Sequence, residues 1–526
     1  TSACDEVGPQ RCLLPWPSAR FTVADADSPT KLRLSVDAAR APDDPATLAY
    51  ANGFSRVSPL AFGFAKRVAA PVGDDVMLVS AEPASVDFGQ AVPLRYRVTD
   101  NEDGTPEESL LVAFPRRPMR PNAEYVAVVL DSLRARDGGA LEASEATRVA
   151  LGLQRPSSQE QADVAGHHAP TRALLAQAGI DPARVLRVTS FVTRTQDNTV
   201  AWLKSMLKVS IAAAKAGDVG VIVDVVQTSG DPHIAAIVEG RLTGLPDFVQ
   251  DDERLLLDGG VPQVVGKREA PFRVLVPAGT GDYRFVMFGH GMAGSFRDQA
   301  FDPQLAALGV AKIGIEFYGW TESELLPTFL SFVEVFRGTH RAAARLLQAV
   351  CDGSAVQAAL STTLGDALSA AQLAGKDNPA AGRRPDASVP IWTGGSLGGT
   401  AGMVYAIAHP DIRHGVLNVP GAGWVAFVTH SVMFKAIEGL LADDMGGRID
   451  LMLAAVMAQT NLDPMDGAVW GAELAQSPKT FLIQEGVGDP VLPNIGSEMV
   501  AVATQAVHIG VAIESVPGLE VAVEAI

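Results

Sequence analysis

Hydrophobic residues follow two different periods along this chain. In roughly the first 150 residues, short runs alternate between apolar and polar positions and are separated by clusters of Gly, Pro, Asn and Asp, which predicts β-strands joined by turns. Helical spacing takes over at about 158–216, apart from one predicted strand at 185–192. From residue 220 onwards, strand-like and helical segments alternate. Because strands that alternate with helices pair mainly in parallel, we expect a sheet with helices on both faces.

These patterns divide the chain into three regions. We predict a small β-sandwich of immunoglobulin-like type over residues 1–155, a helical connecting region over 156–219 and an α/β domain over 220–526. The α/β domain is expected to contain two helical insertions, at about 322–375 and 423–460, which flank one short buried strand.

The most informative short motif is Gly-Gly-Ser-Leu-Gly at 394–398, a G-x-S-x-G pattern. It follows that buried strand directly and precedes a small, apolar segment with the composition of a buried helix. A serine at the tip of a sharp strand-to-helix turn needs neighbours without side chains, and Gly394 and Gly398 meet this demand. A neutral hydroxyl attacks poorly, so such a turn exposes it beside a general base. We therefore predict that Ser396 is a catalytic nucleophile.

With this strand, turn and helix, the chain resembles the α/β-hydrolases. Its layout is similar to that of large exported bacterial lipases and esterases with a β-rich region before the hydrolase core, and the resemblance is strong over about 270–510. It implies a serine hydrolase that works through an acyl-enzyme, with no cofactor. We also expect no metal site, because neither an H-E-x-x-H motif nor a cysteine cluster accompanies any histidine.

A second feature is the strand at 285–288, which is followed by Gly289, His290 and Gly291. In α/β-hydrolases, the backbone N–H just after such a His-Gly pair and the N–H after the nucleophile together bind the tetrahedral oxyanion. The resemblance therefore assigns the oxyanion donors to Met292 and Leu397. His290 itself is expected to order this loop rather than to act as a base.

A third feature is the Gly-rich turn that follows a strand at 480–484 and presents Asp489. In this family, the carboxylate at that position orients the catalytic histidine and stabilises its imidazolium. The resemblance thus implies that Asp489 is the catalytic acid. The alternatives are that Asp489 only caps a helix beginning near Asn494, or that Glu485 is the acid, although we expect Glu485 to be buried structure.

The catalytic histidine is not where the family pattern places it, in a loop after the last core strand. We predict that strand at 511–516, and His508, at the end of a helix before it, is the sole histidine after Asp489. Three alternatives stay open: His508 is the base, the base belongs to residues beyond Ile526, or the protein has lost the base and binds rather than hydrolyses. Surface or capping roles are expected for the other histidines, namely His167, His168, His233, His340, His409, His414 and His430.

Composition narrows the partners and the location. The 42 Lys and Arg against 60 Asp and Glu give a net charge of −18, and no basic run is long enough to follow a phosphate backbone, so we expect no nucleic-acid partner. No uninterrupted apolar stretch predicts a transmembrane segment. Cys4 and Cys12 lie close enough for a small disulfide loop, whereas Cys351 is expected to be a buried thiol. We therefore expect a mature, exported protein, secreted or periplasmic, with a lipid-anchored Cys4 as the alternative.

The two helical insertions carry aromatic and Met-rich stripes, at 322–336, 424–434 and 451–457. Plain core packing explains such stripes in many proteins, but insertions at the carboxyl edge of the sheet form lids and acyl pockets in this fold. We therefore predict an ester substrate with a substantial apolar acyl group, lipid or polyester-like. The alternatives are a peptidase or amidase with the same catalytic groups, and a non-catalytic binding or assembly protein that keeps the fold.

Overall fold

The computed structural model describes residues 13–82, 85–100 and 108–522. Cys4 and Cys12 lie outside the described residues, and so does the disulfide predicted between them. Cys351 is a free, buried thiol inside a long helix, as predicted.

The amino-terminal part of the chain contains short strands, then helices. The strands are β1 (Thr22–Ala24), β2 (Leu32–Leu34), β3 (Leu60–Phe64), β4 (Val76–Ser80), β5 (Leu94–Asp100), β6 (Ser109–Pro115), β7 (Glu124–Leu130) and β8 (Val185–Val192). The helices are α1 (Glu145–Ala150), α2 (Gln159–His167), α3 (Ala169–Gln177) and α4 (Gln196–Ala216), with 3₁₀ turns at Ala19–Phe21, Pro45–Leu48 and Pro182–Arg184. Two antiparallel three-stranded sheets result, in the orders β3-β6-β5 and β4-β7-β8.

The second small sheet packs on both faces, as β7 shows. Successive residues of a strand point to opposite faces. Ala127 and Val129 belong to the same core as the first sheet, whereas Val126 and Val128 pack with the apolar residues of α1 to α3. The region therefore has a helical layer that an immunoglobulin-like sandwich does not include. Strand β8 lies within the predicted connecting region at 156–219, yet it pairs with β7.

The rest of the chain alternates between strands and helices. The strands are β9 (Gly220–Gln227), β10 (Ile234–Asp247), β11 (Leu257–Asp258), β12 (Val261–Pro262), β13 (Gly266–Pro277), β14 (Arg284–Gly289), β15 (Val310–Ile315), β16 (Gln372–Leu373), β17 (Lys376–Asp377), β18 (Ile391–Gly395), β19 (His414–Asn418), β20 (Thr480–Gln484), β21 (Val507–Ile509) and β22 (Glu520–Ala522). The helices are α5 (Asp302–Ala307), α6 (Glu322–Leu330), α7 (Val335–Ala359), α8 (Thr363–Ser369), α9 (Leu397–Ala408), α10 (Trp424–His430), α11 (Val432–Met445), α12 (Arg448–Leu462), α13 (Gly467–Ala475) and α14 (Asn494–Ala503), with 3₁₀ turns at Ser331–Val333 and Asp463–Met465.

One large mixed sheet organises this part. Its strand order is β20-β19-β18-β14-β15-β13-β10-β9. Neighbours from β20 to β15 pair in parallel, whereas β15, β13, β10 and β9 pair in antiparallel fashion. The two predicted helical insertions consist of α6 to α8 and α10 to α12, before and after β18 and β19 in the chain.

Helices cover both faces of the large sheet, as the side chains of β15 show. Lys312 points to one face, where its ammonium lies 2.7 Å from a carboxylate oxygen of Asp302 at the start of α5. Ile315 points to the other face, where a Cβ on Gly353 of α7 would lie 2.4 Å from its Cδ1 atom. The predicted layering of helix, sheet and helix is therefore present at the centre of the sheet.

The carboxyl-terminal strand prediction is wrong. Residues 511–516 form no strand, and Val511 and Ile513 are 93% and 80% exposed. Instead, β21 and β22 pair with each other in parallel, apart from the large sheet. His508 lies on β21 rather than at the end of α14. The alternating pattern is typical of a strand, but no strand among the described residues pairs with this segment.

A buried polar junction joins the amino-terminal part to the helices after β19. Arg194, just after β8, forms an ion pair of 3.1 Å with Asp463, and both side chains are fully buried. Ser55 donates a hydrogen bond of 2.6 Å to the same carboxylate. Removing one partner of such a buried pair typically costs about 3–5 kcal/mol, so this junction fixes the two parts against each other.

Among the described residues, no single helix has the length and composition needed to cross a membrane. Helices α10 and α11 reach that length only together, and their axes meet at 89°.

Candidate active site

The nucleophile candidate Ser396 sits at the turn between β18 and α9. Its backbone has φ of 57° and ψ of −120°, a left-handed conformation that non-glycine residues rarely adopt. Such strain costs about 1–3 kcal/mol and persists only where the surroundings hold it. Here the Ser396 N–H donates a 3.0 Å hydrogen bond to the carbonyl oxygen of Asn418, at the end of β19. The sequence thus folds into the strand, strained turn and helix that the motif predicted.

The glycines around Ser396 are required by close backbone contacts. A Cβ at Gly394 would lie 2.5 Å from the carbonyl oxygen of Gly398, and one at Gly399 would lie 2.7 Å from that of Asn418. Because real Cβ atoms do not approach this closely, these positions exclude any other residue without a backbone shift.

The loop after β14 passes beside the nucleophile. A Cβ on Gly291 would lie 3.7 Å from the Cβ of Ser396. The fully buried His290 holds this loop: its Nδ1 donates to the Gly291 carbonyl at 2.6 Å, and its Nε2 accepts from the Phe317 N–H at 2.9 Å. Burial also lowers the pKa of His290. Both ring nitrogens are therefore occupied, and His290 orders the loop, as expected.

The two predicted oxyanion donors lie on the wall of one cavity together with Ser396. Met292 and Leu397 line this cavity beside the nucleophile. Leu397 is the first residue of α9, where backbone N–H groups have no partner within the helix. Within the described part of the chain, neither of these two N–H groups donates a hydrogen bond. Both are thus available to bind a developing negative charge.

Asp489 lies in the turn between β20 and α14. Its Oδ1 accepts hydrogen bonds from the N–H groups of Val491 and Leu492, at 2.8 and 3.0 Å. These bonds order the turn, whereas the N-cap of α14 is Pro493. Val491 and Leu492 line the same cavity as Ser396, which places the Asp489 turn at its rim. No hydrogen bond of the described residues uses Oδ2, so this oxygen is free to orient a base.

The rival acid Glu485 is exposed, not buried as predicted. Its carboxylate accepts a 2.6 Å hydrogen bond from the Asn494 side chain, which also bonds to Gly486 and Gly488. Glu485 therefore stabilises the turn that carries Asp489.

The structure describes all nine histidines of the sequence, and no hydrogen bond joins any of them to Ser396 or Asp489. The expectation of surface or capping roles is wrong for His340, which lies inside α7 and is 7% exposed. His168 and His409 do take capping positions, between α2 and α3 and at the end of α9, but they are buried there, at 4% and 0% exposed. Burial lowers the pKa of His340 and of His409 to about 4. These rings pack as neutral core residues, because their neighbouring helices bury them. The candidate base His508 is half-buried on β21.

The cavity has a volume of about 180 Å³ and an almost entirely apolar wall. Both helical insertions contribute to this wall, since it includes residues of α6, α7, α10, α11 and α12. Phe329, Trp424 and Phe434 are among its aromatic side chains. An apolar cavity of about 150 Å³ is enough to bind benzene, so this one accepts a ring or an alkyl chain.

Sequence reasoning missed three residues of the site. Trp320 lines the cavity, and its ring lies 6.1 Å from that of Trp424. Thr400 also lines the cavity, and its Oγ1 accepts a 2.8 Å hydrogen bond from the Gly421 N–H. Asn418 holds the Ser396 turn through its backbone oxygen. Trp320 follows β15 and Asn418 ends β19, both at the carboxyl edge of the sheet. This position in the sequence was the signal that could have identified them as site residues.

In the part of the chain that the structure describes, no group of three or more His, Cys, Asp or Glu side chains is placed to hold a metal ion.

Comparisons with known proteins give weak similarity. No family model matches the chain, and no curated protein sequence matches it. Among solved structures, the acetyl xylan esterase from Paenibacillus sp. R4 is 13% identical, with 61% of this chain and 87% of that chain covered and a TM-score of 0.38. The Pyrococcus horikoshii acylaminoacyl peptidase is 11% identical over 57% of this chain and 44% of that one, with a TM-score of 0.32. A CE15 glucuronoyl esterase from Teredinibacter turnerae T7901 is 16% identical, with 55% and 67% covered and a TM-score of 0.29.

Proposed function

We propose that this protein is a serine hydrolase of the α/β-hydrolase fold that cleaves carboxylic esters with an apolar acyl group. The observation that carries the proposal is the strained backbone of Ser396, with φ of 57°, at the wall of an apolar cavity. Strain of this kind concentrates at functional sites, since a packed core gains nothing from it. The order of the parallel strands, with the serine after β18 and the acid after β20, supports the same fold.

The reaction would pass through an acyl-enzyme. The Ser396 hydroxyl oxygen attacks the ester carbonyl carbon and gives its proton to a base, while the carbonyl oxygen becomes an oxyanion held by the N–H groups of Met292 and Leu397. Collapse expels the alcohol, which takes up that proton, and leaves the acyl group on Ser396. Water then repeats the sequence and releases the acid. Asp489 would orient the base, and the position of His508 on β21, without a hydrogen bond to Ser396 or Asp489, does not favour His508 for that role.

The cavity wall supports an apolar acyl group. Its side chains are almost all aliphatic or aromatic, and a charged acyl group would lose its hydration there without a compensating partner. Leu326 and Leu330 on α6 and Leu440 on α11 are 65%, 51% and 60% exposed on the helices that form this wall. Exposed apolar side chains on the helices that form the cavity wall favour substrates with long alkyl chains.

A fluorophosphonate probe tests the nucleophile. We expect one adduct, on the peptide that contains Ser396, and hydrolysis of p-nitrophenyl octanoate. Ser396→Ala should lose both and keep its thermal unfolding temperature, while Ser388→Ala, at an exposed position outside the cavity, should keep both. Activity that persists in Ser396→Ala would identify a different nucleophile. A wild-type protein that is not labelled under conditions that label an ordinary esterase would support the non-catalytic alternative.

The amidase alternative is tested with two substrates that share one acyl group and differ in the leaving group. Octanoyl p-nitrophenyl ester and octanoyl p-nitroanilide place the same chain in the cavity and differ in the bond that breaks. We expect a higher kcat/KM for the ester, and the opposite order would favour a peptidase or amidase.

We also propose that the protein is exported. The sequence supports this through its acidic overall composition and the closely spaced Cys4 and Cys12. Fractionation of the native host would test it, since recovery in the cytoplasm alone would contradict export.

A further inference from the structure

One wall of the cavity is tied to the amino-terminal part of the chain by Arg97 on β5. One guanidinium nitrogen of Arg97 lies 2.8 Å from a carboxylate oxygen of Glu438 on α11. A second guanidinium nitrogen donates a hydrogen bond to the backbone carbonyl of Thr429, in the last turn of α10. Arg97 therefore joins two helices that meet at a bend of 89°.

Both contacts suit an arginine in physical terms. The side chains of Arg97 and Glu438 are only 19% and 10% exposed, so water screens this ion pair less than a surface pair. Carbonyl groups in the last turn of a helix lack partners within the helix and carry partial negative charge, which a cation complements. The planar, forked guanidinium serves a carboxylate and a carbonyl at once, which a lysine cannot do in the same geometry.

Helix α11 has few other buried anchors. Of its 14 residues, the buried ones are Phe434, Glu438, Leu441 and Ala442. By contrast, most of the 15 residues of the neighbouring α12 are buried. Glu438 is thus the one charged anchor among the buried residues of α11, and its position depends on Arg97.

The same arginine touches the residues that face the cavity. Phe434, one helical turn before Glu438, lines the cavity, and the Arg97 guanidinium lies 5.9 Å from the centre of its ring. Thr429 also lines the cavity. Arg97 and Glu438 do not line it themselves, so they act on it only through the helices that they hold.

We propose that the Arg97–Glu438 ion pair sets the position of α11 and thereby the length of acyl chain that the cavity accepts. In this arrangement Arg97 is a positioning residue, and the amino-terminal part of the chain determines the specificity of the hydrolase part. The inference rests on the proposed function, because it takes the cavity to be the acyl site.

The structure offers a matched control. Arg95 lies two residues before Arg97 on the same strand and forms an ion pair of 3.1 Å with Glu498 on α14. No residue of α14 lines the cavity. Arg95→Met therefore removes an ion pair between the same strand and a helix that does not form the cavity wall, and Glu498 keeps its 3.2 Å ion pair with Arg116.

The first test measures kcat and KM for p-nitrophenyl acetate, butyrate and octanoate with Glu438→Gln, Arg97→Met and the double variant. We expect kcat on acetate to stay within about twofold, and KM on octanoate to change at least about fivefold, because only the longer chain reaches the wall that moves. The double variant should match Arg97→Met, since removal of Arg97 already breaks the ion pair, whereas Glu438→Gln keeps the Arg97 contact with Thr429 and should change the profile no more than Arg97→Met does. Arg97→Lys should restore part of the profile, and Arg95→Met should leave it unchanged.

The second test does not depend on catalysis. Hydrogen exchange of the α11 amides should be faster in Glu438→Gln and Arg97→Met than in wild type or Arg95→Met. If α11 exchanges faster but the chain-length profile is unaltered, the specificity inference is overturned while the proposed function stands. Unchanged exchange in both variants would show that the Arg97–Glu438 ion pair does not hold α11 in place.

If the wild type hydrolyses no ester, the proposed function fails and the chain-length claim fails with it. The role of the Arg97–Glu438 ion pair in holding α11 is then tested by hydrogen exchange and by binding of the apolar dye 8-anilinonaphthalene-1-sulfonate. Glu438→Gln should change the dye affinity and Arg95→Met should not, and equal affinities in all three proteins would count against a cavity controlled by Arg97.

Discussion

Gly398 lies directly against Gly289: a Cβ at position 398 would stand 2.0 Å from the carbonyl oxygen of Gly289. This contact presses the start of α9 onto the end of β14. Ser396 precedes α9, and the loop with His290 and Met292 follows β14. The missing side chain at 398 thus sets the distance between the nucleophile and the predicted oxyanion donor.

Gly398→Ala tests this contact. The added methyl group must push α9 away from β14, and overpacking of this kind costs about 1–3 kcal/mol. We expect a loss of that size in chemical denaturation, with a larger relative loss of ester turnover because the donors move away from Ser396. Gly166→Ala is the control, since its Cβ would meet nothing within 4 Å on the exposed side of α2. If Gly398→Ala has the stability and the ester turnover of wild type, α9 and β14 can move apart at this contact without cost.

Filling the cavity should shorten the accepted acyl chain. Ala455 on α12 is partly exposed and lines the cavity, so Ala455→Phe would occupy space meant for the chain. We expect kcat/KM for p-nitrophenyl octanoate to fall at least about tenfold and that for acetate to change little, since a small apolar pocket discriminates by size. Ala475→Phe, at an exposed site on α13, controls for the substitution itself. Equal losses for both esters would place the acyl chain elsewhere.

His508→Ala tests the candidate base. In this structure His508 lies on β21 and makes no hydrogen bond to Ser396 or Asp489. We therefore expect the variant to react with a fluorophosphonate at a rate within about twofold of wild type. Loss of a catalytic base typically costs several orders of magnitude in rate, so a drop of about 10³-fold would instead identify His508 as the base.

The elbow was predictable because its information is local. The glycine spacing around Ser396 and the apolar strand before it reflect contacts within a few residues, and the strand order brought the His-Gly loop beside it. The strand expected at 511–516 failed for the opposite reason. Alternation describes what a segment can do, but a strand also needs a neighbour with which to pair, and that is a tertiary property.

Long-range polar contacts were not predictable from the sequence. Nothing in the local pattern of Arg97 indicates Glu438, because the pairing depends on how distant elements pack. The same holds for His409, which ends α9 as its position in the sequence indicated, but whose complete burial beside Gln357 of α7 has no local signal. Burial of a polar side chain emerges only when the elements around it are assembled.

Lys479 caps the carboxyl end of α9, the helix that begins just after the nucleophile candidate Ser396. Its ammonium donates to the carbonyl oxygens of Ala406, Ile407 and His409 at 2.7–2.8 Å, where the end of α9 leaves them without helical partners. Lys479→Met should destabilise the protein by about 2 kcal/mol, because hydrogen bonds to a charged donor are lost. Lys204→Met, which removes an exposed ion pair with Glu473, should cost less than about 1 kcal/mol. Equal effects in urea unfolding would argue against the cap.

The neutral core histidines predict loss of stability in mild acid. His409 is fully buried, and its Nδ1 accepts a hydrogen bond from the Asp411 N–H at 3.2 Å. Protonation of Nδ1 would break this hydrogen bond and place two N–H groups against each other. Burial lowers its pKa from 6.5 to about 4. The unfolded chain therefore binds more protons than the folded one between these values, and the free energy of unfolding falls as pH drops from 6.5 towards 4.

From that shift, His409 accounts for about 2 kcal/mol of lost stability between pH 7 and pH 5. His409→Gln keeps a side-chain acceptor and cannot titrate, so its urea unfolding free energy should fall less over this interval, by about that amount. His340 and His168, with pKa values lowered to about 4 and about 3, continue to titrate in the variant and leave it a residual slope. His233→Gln, at an exposed ring, should keep the wild-type slope. If His409→Gln also keeps the wild-type dependence of unfolding free energy on pH, then His409 takes up no proton on unfolding between pH 7 and pH 5. Its pKa in the folded protein would then be close to 6.5.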